Sequence, residues 1–182
     1  MSGVAEASLV LGLVSSILTV LDTALQIYNA AHDAKGLTKT FQATADQIPL
    51  VFHTLELVGR RIQENRVGAE AVRSAKPVLE RCKQNATKVK DAFDKALPSK
   101  DASRTERYKK AAEMRWRSSE VKENMKLVME GLDLLAQHQI FQDADAMGNI
   151  KTAIDDLAKT STTHDMNSVT GRYSSVMSGP TE

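Results

Sequence analysis

Apolar positions near the start of the chain fall into four heptad columns: Leu11, Leu18 and Leu25; Val14, Leu21 and Tyr28; Val10, Ile17 and Ala24; and Leu13, Val20 and Ile27. Together they span roughly 160° of a helix circumference, wider than the apolar stripe of an ordinary surface helix. The remaining arc carries Ser8, Ser15, Asp22 and Asn29 in one column and Gly12, Thr19 and Gln26 in another, so even the polar side is nearly chargeless. The pattern predicts a helix from about Ala7 to Ala31 that is buried over most of its circumference. His32 to Gly36 closes it, with Lys35 in the last turn and Gly36 placed to take positive φ.

Thr38 is positioned to cap a second helix, whose apolar residues Phe41, Ala45, Ile48, Phe52, Leu55 and Ile62 recur in steps suited to one packing face. Pro49 removes a backbone donor there and predicts either a kink near Asp46 or two abutting helices. After Gly68 a third helix aligns Ala75, Leu79, Cys82, Ala86, Val89 and Phe93 and ends near Leu97. Pro98, Ser99 and Asp101 make a turn and offer an N-cap for a fourth, basic segment through Ala111, Ala112 and Trp116. A fifth aligns Val121, Met125, Val128, Leu132 and Leu135, and a sixth aligns Met147, Ile150, Ala153, Ile154 and Leu157. No strand pattern and no solenoid repeat is present. The prediction is an all-α fold: a single closed bundle of five to six helices, kinked in the second, over residues 4–158. From Thr160 to Glu182 the helical period is lost and the stretch contains ten Ser or Thr residues, so residues 159–182 read as a flexible, disordered tail.

Composition narrows the class. Aromatic residues are only 4% of the 182 residues, which suits helices better than a sandwich of sheets. A formal net charge of +1 provides no overall field toward nucleic acid or an anionic membrane, so any such binding has to be local. The single cysteine, Cys82, excludes an intramolecular disulfide and points to a reducing, cytoplasmic compartment. No Lys or Arg precedes Lys35, which reads against a signal peptide. The uncharged run from Ala7 to Leu21 falls short of the roughly 20 apolar residues of a spanning helix and includes four hydroxyl side chains, which reads against a constitutive span.

Candidate chemistry is sparse. A phosphate-binding loop needs a glycine followed by Lys and Ser or Thr, and no glycine here precedes a lysine. The nearest string, Gly36-Leu37-Thr38-Lys39-Thr40, lacks the first glycine and the strand before it. His32, His53, His138 and His164 lie far apart, without the spacing of a helical metal site. Cys82, between Leu79 and Ala86, reads as core. No catalytic, cofactor or metal residue is therefore expected, and no small-molecule substrate. The candidate basic surface is Arg104, Arg107, Lys109, Lys110, Arg115 and Arg117, with Tyr108 and Trp116 among them. Such a segment is a solvated helix face, a grip for an anionic lipid or partner, or, least favoured, a nucleic-acid contact. Trp116 on its own also fits a core position.

Three strings together resemble one family. "ASLVLGLVSSILTVLDTALQIYNAAHDAKGL", "TADQIPLVFHTLE" and "CKQNATKVKDAFDKALPSKDASRTERYKKAA", in that order, are similar to the SesA-type N-terminal domain of fungal NACHT and P-loop NTPase receptors, a HeLo-like group. The likeness covers Val4 to Ala158 and is most specific from Cys82 through Pro98 to Lys110. It implies a cytoplasmic, non-enzymatic effector domain of NLR-type allorecognition and regulated cell death. The implied partner is a NACHT-type receptor or a second copy, with membrane association on activation. In HeLo-type effectors an N-terminal apolar segment is implicated in insertion. The matching positions form the candidate membrane or interaction helix: Leu9, Val10, Leu13, Val14, Ile17, Leu18, Leu21 and Leu25. Some relatives end in amyloid motifs, and Asn167 to Gly179 is the corresponding stretch, with ordinary disorder the default. The competing expectation is a soluble adaptor whose first helix stays buried.

Overall fold

A computed structural model describes residues 2–31, 37–138, 140 and 143–160. Among them are five helices and no strand: α1 (Ser2–Ala31), α2 (Lys39–Gln63), α3 (Ala69–Ala96), α4 (Arg104–Gln137) and α5 (Ala144–Lys159). The expected all-α bundle is what the chain forms, at the lower helix count. The expected turn at His32 to Gly36 and the tail beyond Thr160 lie outside the described residues.

Both ends of α2 have a local cause. Thr38 accepts a hydrogen bond from the Phe41 amide at 3.4 Å and starts α2 as expected. The far end of α2 closes through Asn65 at φ 52°. The Asn65 amide donates to the Ile62 carbonyl at 3.1 Å and the Arg66 amide to the Arg61 carbonyl at 3.0 Å, the paired bonds of a Schellman cap. Pro49 does not split α2, which runs unbroken from Lys39 to Gln63. Buried Ala45 and Ile48 before the proline, and Val51 and Leu55 after it, hold both halves against the same core. Two abutting helices are thus set aside.

α4 corrects the expectation of separate fourth and fifth helices. It is one helix of 34 residues, capped by Ser103, whose hydroxyl accepts from the Glu106 amide at 3.2 Å, rather than by Ser99 or Asp101. Where a break was expected, the Ser118 hydroxyl donates to the Met114 carbonyl at 2.8 Å, and Arg117 bridges Glu113 at 3.0 Å and Glu120 at 2.9 Å. The two periods differ because only the second half of the helix is enclosed.

Extensive contacts join α1 to α3, α3 to α4, α4 to α2 and α2 to α1, a closed ring. Neither α1–α4 nor α2–α3 is among them, so α1 and α4 occupy opposite corners. α5 packs on α2 and α4, and Lys122 ties its end down by donating to the carbonyls of Ala158 at 2.8 Å and Thr160 at 2.7 Å. These are the unpaired carbonyls of a helix C-terminus, where a cation is favoured. In the centre Phe93 of α3 meets Phe41 of α2 at 5.3 Å and Tyr28 of α1 at 6.2 Å between ring centroids. Phe41 and Phe93 are fully buried, and each such ring stabilises the fold by about 1.5–3 kcal/mol.

Candidate interaction surfaces

α1 is packed on one side only. Val10, Val14, Ile17, Leu21, Ala24 and Ala31 are buried, whereas Leu11, Leu13, Leu18, Val20, Leu25, Ile27 and Tyr28 are half-buried. Leu9 is 57% exposed and Val4 is also exposed. Of the four columns, Val10/Ile17/Ala24 is fully inside and Val14/Leu21/Tyr28 nearly so, while the other two form flanks. The expectation of burial over most of the circumference is therefore too strong: a helix at the corner of a bundle touches two neighbours, here α2 and α3. α2 faces α1 at Gly59, where a Cβ would sit in ordinary contact with the Val14 and Leu11 side chains.

The outward strip of α1 is Ser8, Gly12, Ser15, Thr19, Asp22, Thr23, Gln26 and Asn29. Its polar groups are largely turned back on the helix. Thr19 donates to the Ser15 carbonyl at 3.0 Å, Thr23 to the Thr19 carbonyl at 2.9 Å, and Gln26 to the Asp22 carboxylate at 2.7 Å. Val4–Ala31 is long and apolar enough to cross a bilayer by length and composition, more than the uncharged run alone suggests. The same test is passed by core helices of soluble proteins, so it describes capacity and not location.

The six basic positions of α4 divide by what they touch. Arg117 is neutralised by Glu113 and Glu120. Arg107 donates to the carbonyls of Ala102 and Lys100, both at 3.1 Å, and Lys110 to the carbonyl of Asp94 at 2.6 Å. These contacts fix the α3–α4 turn while leaving the charge in place. Arg104, Lys109 and Arg115 are exposed, and no ion pair holds them among the described residues. Trp116 is 86% exposed and Tyr108 83% exposed, so the core reading of Trp116 does not hold. Ala111, Ala112 and Arg115 line a concavity of about 330 Å³ between these two rings. Position along the helix explains why: Met114, Ser118 and Val121 face the bundle, and Tyr108, Ala112 and Trp116 lie on the opposite side.

Among the described residues no three potential metal ligands cluster. His53 and His138 are exposed, on α2 and just beyond α4, and the other two histidines lie outside the described residues. Cys82 is buried as expected, and burial pushes its thiol up to about 12, against a small opposing pull from Arg81. A thiol so protonated is a poor nucleophile.

The model of the SesA family, described as the N-terminal domain on NACHT NTPases and P-loop NTPases, matches residues 14–135. The chain belongs to the SesA family. The SesA match runs from Val14, inside the buried strip of α1, to Leu135 near the end of α4, and so takes in α2 and α3 whole, nearly all of α4 and the second part of α1. It includes all six basic positions of α4 and, of the α1 positions, Val14, Ile17, Leu18, Leu21 and Leu25. Leu9, Val10, Leu13 and the whole of α5 lie outside it. The SesA description is of a domain carried by NTPases, which associates the chain with NLR-type signalling and with protein interaction. Neither the curated proteins nor the solved structures provide a match.

Proposed function

We propose that this SesA domain is a non-enzymatic, cytoplasmic effector of fungal NLR-type allorecognition and regulated cell death, and that α1 is its working element. At rest α1 is held by its inner strip. On activation, by a NACHT-type receptor or by self-association, its outer and flanking faces engage a bilayer. The observation that carries this reading is the mismatch between what α1 offers and what the bundle covers. Two apolar columns are only half-buried, Leu9 is exposed, and the outward strip has Asp22 as its one ionisable residue. Ser and Thr hydroxyls bonded to carbonyls four residues back are tolerated in an apolar medium far better than free polar groups are.

The test is dye release from anionic vesicles on addition of oligomeric protein. Thr19→Glu places a charge on the exposed outer strip, so the fold and melting temperature are expected to stay as they are while release is lost. If the unaltered protein is inert on every vesicle composition, the membrane step is wrong. The second reading, a soluble adaptor with α1 permanently in place, draws on the complete burial of Ile17, Leu21 and Ala24. It is favoured if receptor binding survives Thr19→Glu and no vesicle is breached.

A further inference from the structure

The first half of α4 presents a face that the bundle does not use. α5 runs antiparallel along α4 and ends where Lys122 holds the carbonyls of Ala158 and Thr160. Beyond that point, from Arg104 to Ser119, α4 has no α5 beside it. In this uncovered stretch Tyr108 and Trp116 stand about two helical turns apart on one side. Ala111 and Ala112 between them are too small to fill the space, which leaves the cradle of about 330 Å³ with Arg115 at its edge.

At about 100° per residue, Arg104 and Arg115 fall on the Tyr108 flank of this strip and Lys109 on the Trp116 flank. All three cations are exposed, and among the described residues none of them holds a carboxylate. Of the nearby acids, Glu113 and Glu120 are engaged by Arg117, and Glu106 sits in the capping turn at Ser103. The arrangement is an aromatic-walled apolar cradle with unneutralised positive charge on both sides. Exposed aromatics beside arginine are the usual anchors of protein recognition. Cations flanking them favour an acidic partner over a neutral or basic one.

We propose that this face of α4 docks an acidic segment of a partner protein, with one apolar side chain between Tyr108 and Trp116 and carboxylates on Arg104, Lys109 and Arg115. A bilayer is the less suited occupant. Exposed aromatics with cations also suit a lipid interface, but α4 stands at the corner opposite α1, so a membrane lying on α4 would hold α1 away from it. The inference rests on the proposed function in one respect: its choice of a protein over a bilayer takes α1 to be the membrane-facing element. Vesicle leakage without peptide binding, or the converse, would tell the two failures apart.

Trp116 is the single tryptophan of the chain and therefore reports on its own cradle. A random-peptide library selected on the full chain, followed by titration of the enriched peptides against Trp116 emission, is the experiment. The expected result is acidic sequences carrying a large apolar residue, a saturable blue shift, and at least tenfold weaker binding by Arg115→Glu and by Tyr108→Ala. Both side chains are exposed, so the variants are expected to melt with the parent. Enrichment of no sequence, or of basic or uncharged ones, overturns the proposal. So does binding indifferent to Arg115→Glu, or anionic vesicles that shift Trp116 emission where the peptides do not.

Discussion

Gly131 of α4 crosses Cys82 of α3 so closely that a Cβ built on Gly131 would overlap the cysteine sulfur. The sulfur is held toward α4, with the thiol directed at the Val128 carbonyl at 3.7 Å. Alanine is the better helix former by about 1 kcal/mol, yet overpacking a close crossing costs about 1–3 kcal/mol. Gly131→Ala is therefore expected to lower stability by about 1 kcal/mol, despite its higher propensity. In chemical denaturation the double variant with Cys82→Ala should show a favourable coupling of about 1 kcal/mol. A Gly131→Ala domain as stable as the parent would mean the crossing is looser.

Cys82 also sets a pH dependence. Its thiol is raised from an ordinary value of 9.0 to about 12. The unfolded chain thus loses this proton at a lower pH than the native one. The stabilisation is complete below pH about 9 and declines as pH rises toward 12, by up to about 1.4 kcal/mol per unit. Denaturation curves of the parent should show this alkaline decline more steeply than those of Cys82→Ala. At pH 8 a thiol reagent is expected to react at the rate of unfolding.

The Schellman cap at Asn65 needs positive φ, which asparagine tolerates and a β-branched residue does not. Asn65→Val is expected to cost about 1–2 kcal/mol, and Asn65→Gly to be neutral or slightly stabilising. Thermal melts of the two variants check the pair. Equal losses from both would point to the amide side chain instead of the backbone.

Thr40 and Thr44 are fully buried on α2, and their hydroxyls find no hydrogen-bond partner among the described residues. An unpaired buried hydroxyl is costly. Thr44→Val, which keeps the shape and removes the polar atom, is expected to raise stability by about 1 kcal/mol in urea denaturation. A loss instead would show that the hydroxyl is satisfied by water.

Much of the fold was legible because burial on one side imposes a period. Leu79, Cys82, Ala86, Val89 and Phe93 of α3, and Val121, Met125, Val128 and Leu132 of α4, repeat as expected and are all buried. The first half of α4 was misjudged for the converse reason. With Tyr108 and Trp116 outside, its apolar letters carry no core period, so the helix looked like a separate segment. A signal for its start was present in Ser103-Arg104-Thr105-Glu106, the spacing of a capping box. The end of α2 was hidden because asparagine stands where glycine is the commoner sign. In α1 the polar columns of Ser15 and Thr19 mark the outward side and so the two columns opposite them as the inner ones; how little the flanking columns are covered was not legible, because that depends on α1 standing at a corner with two neighbours.

Hydrogen exchange across α1, followed with and without anionic vesicles, bears most directly on whether this helix is the working element. In the free protein, slow exchange is expected from Val10 to Ala24, matching the packed inner strip. With vesicles, the amides of α1 should change their protection while those of buried α3, around Leu79 to Phe93, keep theirs. Protection in α1 that is identical with and without vesicles, on oligomeric protein that also fails to release dye, would contradict a helix that leaves its corner.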